Sequence, residues 1–377
     1  MRGEQRKIMK RISLLLFFFI LCTQAAWAAR AKVVDIAQDP YTSALLIDAD
    51  SGKILFEDHA GTVVYPASVL KMMDLLVIIE LVEQGKVRLD EMVQVTAEAA
   101  KMGGSQVYLD PKEQFSVEDL LYALAVQSAN DAAVALATHV AGSTEGFVAL
   151  MNKRAEELGM KDTRFHSVHG LPPSHGQKPD ETTARDLSLL SLQLAKQAAI
   201  FDYTGTRERP IREGKFIMRN HNHLLGMIEG CDGFKTGYFQ AAGFSIVATA
   251  KKNGVRIIAI VMGSKDRKVR DAKAAELLAK GFALVPPMPV PEIKPEAALA
   301  VNVAEPAPEK LEMTASSEPE TVQSSVPELQ QEVVASPEGG WGMFFWGLVA
   351  GLMLSGMLAI FIARKRSRKP VSYLSRL

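Results

Sequence analysis

Cysteine is nearly absent from this chain: Cys22 and Cys231 are the two in 377 residues. Cys22 falls in an N-terminal leader, so a mature chain keeps Cys231 alone and forms no internal disulfide, even in an oxidising compartment. Stability must come from an ordinary core, which this length supplies in one large domain or two ordinary ones. There is no surplus of charge of either sign: Lys+Arg and Asp+Glu each total 43. Aromatic residues make up only 7%, and no basic stretch is interleaved with them. A nucleic-acid binder carries a basic surplus, so nucleic acid is not expected as a partner. No internal repeat is visible.

The two ends of the chain read as membrane signals. Arg2, Arg6, Lys7, Lys10 and Arg11 precede the apolar run ISLLLFFFILC, and Ala26-Trp27-Ala28 follows as a small-x-small cleavage site. Residues 1–28 are therefore expected to be a secretory signal peptide; the run is short for a full membrane span. Residues 286–340 are rich in Pro, Glu, Ala and Ser and lack aromatics, which predicts a disordered acidic linker spanning on the order of 40 Å root-mean-square. Residues 341–363, WGMFFWGLVAGLMLSGMLAIFIA, carry no charge and are long enough to cross a bilayer as one transmembrane helix. The basic tail 364–377 begins RKRSRK, which places it in the cytoplasm and the folded domain outside the cytoplasmic membrane. Gly347 and Gly351 have the spacing of a helix-packing motif, a weak signal in a glycine-rich span.

Between these segments, residues 29–285 read as one α+β domain. TSALLIDAD, KILFED and FSIVATAKKNGVRIIAIVMG look like strands, and Asn253-Gly254 between two apolar runs is a hairpin signal. The middle is helical. PASVLKMMDLLVIIELVEQG starts at Pro66 and stops at Gly85, and SVEDLLYALAVQSANDAAVALATHVAG opens on Ser116-x-x-Asp119. TEGFVALMNKRAEELGM, TTARDLSLLSLQLAKQA and DAKAAELLAKGFAL carry helical periodicity. Strands at both ends around a helical interior predict that they share one antiparallel sheet.

The chemistry is carried by three short motifs. Ser68 and Lys71 are three apart at a predicted helix start, so they share a face. A hydroxyl nucleophile needs a nearby base. The helix N-terminus supplies free N–H groups and partial positive charge, which favour a developing oxyanion and a neutral lysine; burial pushes the lysine the same way. Alone, the pair is weak: Ser-x-x-Lys arises by chance about once or twice in a chain this long, and Ser68 reads equally as a helix cap. Ser128-Ala129-Asn130 interrupts a helical pattern, where its bland reading is a polar face or a kink. Lys235-Thr236-Gly237 precedes a strand-like run, where its bland reading is a turn with a solvated lysine. Each motif occurs once, and the three follow in the order Ser-x-x-Lys, Ser-x-Asn, Lys-Thr-Gly.

That ordered set resembles the signature of the serine β-lactamases and penicillin-binding proteins. With YPASVLKMM, LAVQSANDAAVALATHVAGS, FHSVHGL, TTARDL, RNHNHLL and CDGFKTGYFQAAGFSIVATA, the region from about 33 to 285 is similar to the low-molecular-weight D-alanyl-D-alanine carboxypeptidases. The resemblance implies their β-lactamase-like fold, an antiparallel sheet flanked by helices with a helical subdomain. It implies Ser68 as acyl-accepting nucleophile, Lys71 as general base and Ser128 as proton relay toward the leaving D-alanine. Asn130 is implied to hold Lys71 and the substrate amide. Lys235 and Thr236 are implied to bind the terminal carboxylate, with Gly237 allowing close backbone approach and the N–H groups of Ser68 and Tyr238 forming the oxyanion hole. The implied partners are peptidoglycan stem peptides and, as covalent inhibitors, β-lactams; no metal or other cofactor is implied.

Three departures from that pattern stand out. The linker and span replace the β-rich second domain and amphipathic C-terminal helix of the two-domain relatives. Cys231 lies four residues before Lys235 and shares its face if the strand is regular; it reads as a small packed residue or an oxidisable thiol. His221 and His223 would share a strand face, but with no third ligand evident they read as structural or substrate-contact residues rather than a metal site. A class A β-lactamase needs a glutamate in an E-x-x-L-N setting, and Glu156 and Glu157 in AEELGM are not followed by that asparagine. The D,D-endopeptidases that cut cross-links use the same triad, so exo and endo specificity stay open. A non-catalytic wall-binding scaffold is the reading from another class.

Overall fold

The computed structural model describes residues 33–174 and 176–286. The predicted leader (1–28), the linker beyond residue 286, the span (341–363) and the tail (364–377) lie outside the described residues. Strand β1 (Ser43–Asp48) pairs with β2 (Ile54–Asp58) on one side and with β9 (Val255–Ser264) on the other, each antiparallel. The sheet continues through β8 (Gly243–Lys252) to β7 (Cys231–Phe239), giving the order β2-β1-β9-β8-β7. The first and last strands of the domain thus share one antiparallel sheet, as the sequence pattern predicts. Asn253 and Gly254, at φ 50° and 81°, make the two-residue turn between β8 and β9. Strand β7 is an edge, so one side of its backbone is free of sheet partners among the described residues.

β1 is buried on both faces, and its side chains alternate between two cores. Ala44 and Leu46 join Ile257, Ala259 and Val261 of β9 in a cluster with Ala274, Leu277 and Leu278. Those last three belong to the terminal helix α8 (Arg267–Leu284), which is capped by Asp266 accepting from Lys268 N and Val269 N. Leu45 and Ile47 face the other core, which includes the helices α1 (Lys71–Glu83), α4 (Asn130–Ala141), α5 (Thr144–Glu157) and α6 (Ala184–Leu194). Shorter elements complete the chain: α2 (Ala97–Ala100), α3 (Val117–Tyr122), α7 (Ile200–Thr204) and the hairpins β3 (Met92–Gln94) with β4 (Gln114–Ser116) and β5 (Glu208–Ile211) with β6 (Phe216–Arg219).

Helix α1 is buried from Lys71 through Ile79, and over that stretch it is apolar on all sides apart from two charged residues, Lys71 and Asp74. Its sequence predicts a helix from Pro66. The chain instead enters through a 3₁₀ turn, Ala67–Leu70, with Ala67 at φ 48°. Ser116 caps α3 as expected, accepting from Asp119 N at 3.1 Å. The long helical pattern that follows is broken. A five-residue π turn, Ala123–Gln127, ends at Ser128 in the left-handed region, φ 59°, and α4 restarts at Asn130.

Candidate active site

Ser68 sits inside the 3₁₀ turn, whose N-cap is Pro66, while helix α1 is capped at Leu70, so Ser68 occupies neither cap position and the bland reading of it as a helix cap falls away. Lys71 Nζ donates instead to Ser68 Oγ at 3.2 Å, to Asn130 Oδ1 at 2.8 Å and to His169 O at 2.6 Å. Lys71 is wholly buried. Burial pushes its amine down to about 8, against the opposing pull of Asp74, Asp180 and Asp131. An amine so placed exists partly as a free base near neutral pH and faces the hydroxyl it would deprotonate.

The break in the helix places the second motif. The left-handed Ser128 lets the chain turn from α3 into α4, and Asn130 then meets Lys71. Asn130 Nδ2 donates to Gly103 O at 2.7 Å, which fixes the amide with its oxygen toward the lysine. Next to it, Asp131 accepts from Val107 N, Leu109 N and Ala132 N, pinning the 103–109 loop against α4.

The third motif lies on β7. Lys235 is buried, with Nζ 3.2 Å from Thr236 O. Burial, then the cations Lys71 and Arg270, hold its amine well below the ordinary range. A carboxylate in the cleft would supply the missing counter-charge. At Gly237 a Cβ would stand 2.6 Å from Pro66 O and 3.1 Å from Ser68 N, so only glycine lets the strand lie against the serine turn. That contact brings the Ser68 N–H beside the β7 backbone. Ser68, Ser128, Asn130, Thr236, Gly237 and Tyr238 line a single cavity of about 360 Å³, with Lys71 and Lys235 buried alongside.

Several groups here escape sequence reasoning. Gly170, at φ +71°, leaves no room for a side chain: a Cβ would lie 2.2 Å from Ala67 O. Its backbone thus lies directly against the serine turn. Its turn is held by Asp180, which accepts from His166 N, Ser167 N and Ser167 Oγ. The FHSVHGL motif was the signal for this support, but nothing in its residue types announced a backbone role. Arg270, 2% exposed, reaches the cleft from α8 and donates to Ser245 O at 3.2 Å. Asp74, one turn below Lys71, is buried with both carboxyl oxygens unpartnered. Burial and Asp180 push its carboxyl well above the usual range, with Lys71 opposing.

Two expectations are corrected. Cys231 does not share the face of Lys235. Cys231 pairs with Ala250 but Gly233 with Thr249, so the strand bulges at Asp232 and the alternation is reversed. Cys231 packs with the α8-side core, and burial raises its thiol to about 11, which disfavours the reactive thiolate. His221 and His223 lie in a turn, not on a strand. Both line the cleft, and His223 Nε2 is 2.9 Å from Arg267 Nη1, in keeping with a contact role. Among the described residues no three His, Cys, Asp or Glu side chains group as a metal site. Glu156 and Glu157 do not line the cleft.

Known proteins resemble this chain in sequence and fold. The profile of the family described as D-alanyl-D-alanine carboxypeptidase matches residues 30–266. The carboxypeptidase DacF of Bacillus subtilis is 37% identical over 282 residues, covering 73% of this chain and 71% of its own. Penicillin-binding protein 5 of Haemophilus influenzae superposes with a TM-score of 0.60 at 33% identity, over 67% of this chain and 72% of that one. Penicillin-binding protein D2 of Listeria monocytogenes, solved in its ampicillin-bound form, gives 0.58 at 30% identity over 64% of this chain and 97% of that one.

Proposed function

This chain belongs to the D-alanyl-D-alanine carboxypeptidase family of serine-type hydrolases, and we propose that it removes the terminal D-alanine of peptidoglycan pentapeptides through an acyl-enzyme on Ser68. The observation that carries the residue roles is the contact between the buried Lys71 amine and Ser68 Oγ, closed off by Asn130 and His169 O. Ser68 Oγ attacks the carbonyl of the penultimate D-alanine as Lys71 takes its proton. The oxyanion meets the N–H groups of Ser68 and Tyr238. The C–N bond breaks, and the leaving amine takes a proton by way of Ser128. Water then attacks the ester, Lys71 accepts its proton, and Ser68 is restored. Asn130 holds Lys71 and the substrate amide, while Lys235 and Thr236 take the terminal carboxylate. The free edge of β7 offers main-chain pairing to an extended peptide.

β-Lactams enter the same cleft and acylate Ser68, and with no glutamate among the described residues that line it the adduct persists. The domain works outside the cytoplasmic membrane, exported by residues 1–28 and tethered through the linker and the 341–363 span. The test is D-alanine release from a soluble pentapeptide. The wild type turns it over and Ser68→Ala falls to background while remaining folded. Turnover by Ser68→Ala at the wild-type rate would contradict the assignment.

A further inference from the structure

Arg212 and Glu213 turn the chain between β5 and β6, and both lie in the left-handed region, at φ 54° and 55°. That conformation costs a residue with a Cβ, and it persists where the surroundings fix it. What fixes it here is the set of partners around one guanidinium. Arg212 Nε donates to Glu113 Oε1 at 2.7 Å and Nη2 to Glu113 Oε2 at 2.8 Å, a two-pronged ion pair. Nη1 donates to Val107 O at 2.7 Å, and Nη2 also to Tyr108 O at 2.9 Å. Tyr108 is itself left-handed, φ 59°, and two successive carbonyls meet the same group. The guanidinium carbon stands 5.1 Å from the centre of the Phe115 ring. The Arg212 side chain is only 20% exposed, so the cluster is partly shielded from solvent.

The segment held this way is the one that holds Asn130. Gly104 and Ser105 line the cleft. Asn130 N donates to Ser105 O at 2.7 Å, and Asn130 Nδ2 donates to Gly103 O at 2.7 Å. Ser105 Oγ donates to Gln127 O at 2.6 Å, at the end of the π turn before Ser128. Two residues on, Val107 is gripped at both ends of its backbone: its N–H donates to Asp131 and its carbonyl accepts from Arg212. The 103–109 loop is therefore clamped between α4 and the β5–β6 hairpin. Asn130 Oδ1 accepts from Lys71 Nζ, which also reaches Ser68 Oγ. Arg212 itself is not among the residues that line the cleft.

We propose that Arg212 is a positioning residue for the acylation of Ser68: it fixes the 103–109 loop from outside the cleft, so that Asn130 keeps its amide oxygen on Lys71. The inference rests on the Ser68 reading, and the two fail separately. Purified full-chain enzyme is mixed with a chromogenic cephalosporin in stopped flow, and the concentration dependence gives a dissociation constant for the non-covalent complex and a limiting acylation rate. Arg212→Ala, confirmed folded by circular dichroism, lowers the limiting rate on the order of 10–10²-fold, because a small misplacement near the reacting groups is expensive, and moves the dissociation constant by less than about threefold. Arg212→Lys keeps the charge but not the fork, and recovers a rate between the two. Glu113→Ala lowers the rate as well and adds little in the Arg212→Ala background, since it acts through the guanidinium. Where Arg212→Ala does not fold, Glu113→Ala carries the test with the same two readouts. Arg219→Ala, which removes the exposed Arg219–Glu208 pair of the same hairpin, leaves the rate unchanged. A wild-type limiting rate in folded Arg212→Ala overturns the proposal and spares the Ser68 reading. An equal loss in Arg219→Ala, or a loss confined to the dissociation constant, does the same. A wild type that the cephalosporin does not acylate takes both down.

Discussion

The two faces of the five-stranded sheet are filled in opposite ways. Against α8 the side chains are aliphatic: Ala44, Leu46, Ile257, Ala259 and Val261 meet Ala274, Leu277 and Leu278. On the other face the core packed against the sheet also encloses Lys71, Asp74, Asn130, Asp131 and Lys235. Alternate residues of the same strands serve both, so one backbone carries a half that is dry but for Arg270 near the start of α8 and a half that buries several charges. Each fully buried Leu or Ile contributes about 1.5–3 kcal/mol. A buried polar group costs unless it is hydrogen-bonded. The dry face therefore supplies stability and the helical face spends part of it on holding a lysine beside a serine.

That division can be broken from either side. The largest effect is expected at Lys71: Lys71→Ala should slow acylation of Ser68 by about 10²–10⁴-fold, the range for a lost general base. Wild-type acylation should rise with pH and level off above about 8, because the unprotonated amine is the base and burial sets its pKa there. The variant should lack that rise, and stopped-flow acylation across pH checks both. On the dry face the effect should be on stability alone. Leu277→Ala is expected to cost about 2–5 kcal/mol in urea unfolding while leaving the acylation rate of the folded protein unchanged. A large activity loss there would erase the division.

Asp74 offers the smaller, sharper test. Its carboxyl keeps its proton to a higher pH folded than unfolded. Its contribution is therefore fully favourable only below the ordinary value of 3.8, and stability is lost as pH rises from there toward the folded pKa. Asp74→Asn, whose amide cannot ionise, should be more stable relative to the wild type at pH 7 than at pH 4, as urea unfolding at the two pH values would show. Equal differences at both pH values would contradict a titrating Asp74.

The sequence announces the division only in part. Strand alternation, the Asn253-Gly254 turn and the Ser116 cap all rest on local rules, and each forms as read. Ser68, Lys71, Ser128, Asn130 and Lys235-Thr236-Gly237 were legible as three motifs, and folding brings them together across long stretches of chain. What stays hidden is whatever depends on the backbone rather than residue type. The left-handed Ser128 and Ala67, the Gly170 buttress and the bulge at Asp232 are such cases. The bulge explains why counting residues put Cys231 on the wrong face. Arg270 stayed hidden because a basic residue near a helix start looks solvated until α8 is seen to begin at the cleft.

The central claim is that Ser68 is the acylated residue, and a fluorescent penicillin tests it most directly. The wild type should become covalently labelled, with the adduct mapped by mass spectrometry to the peptide containing Ser68, and folded Ser68→Ala should stay dark. Labelling of Ser68→Ala, or an adduct mapped to any other residue of the wild type, would contradict the account.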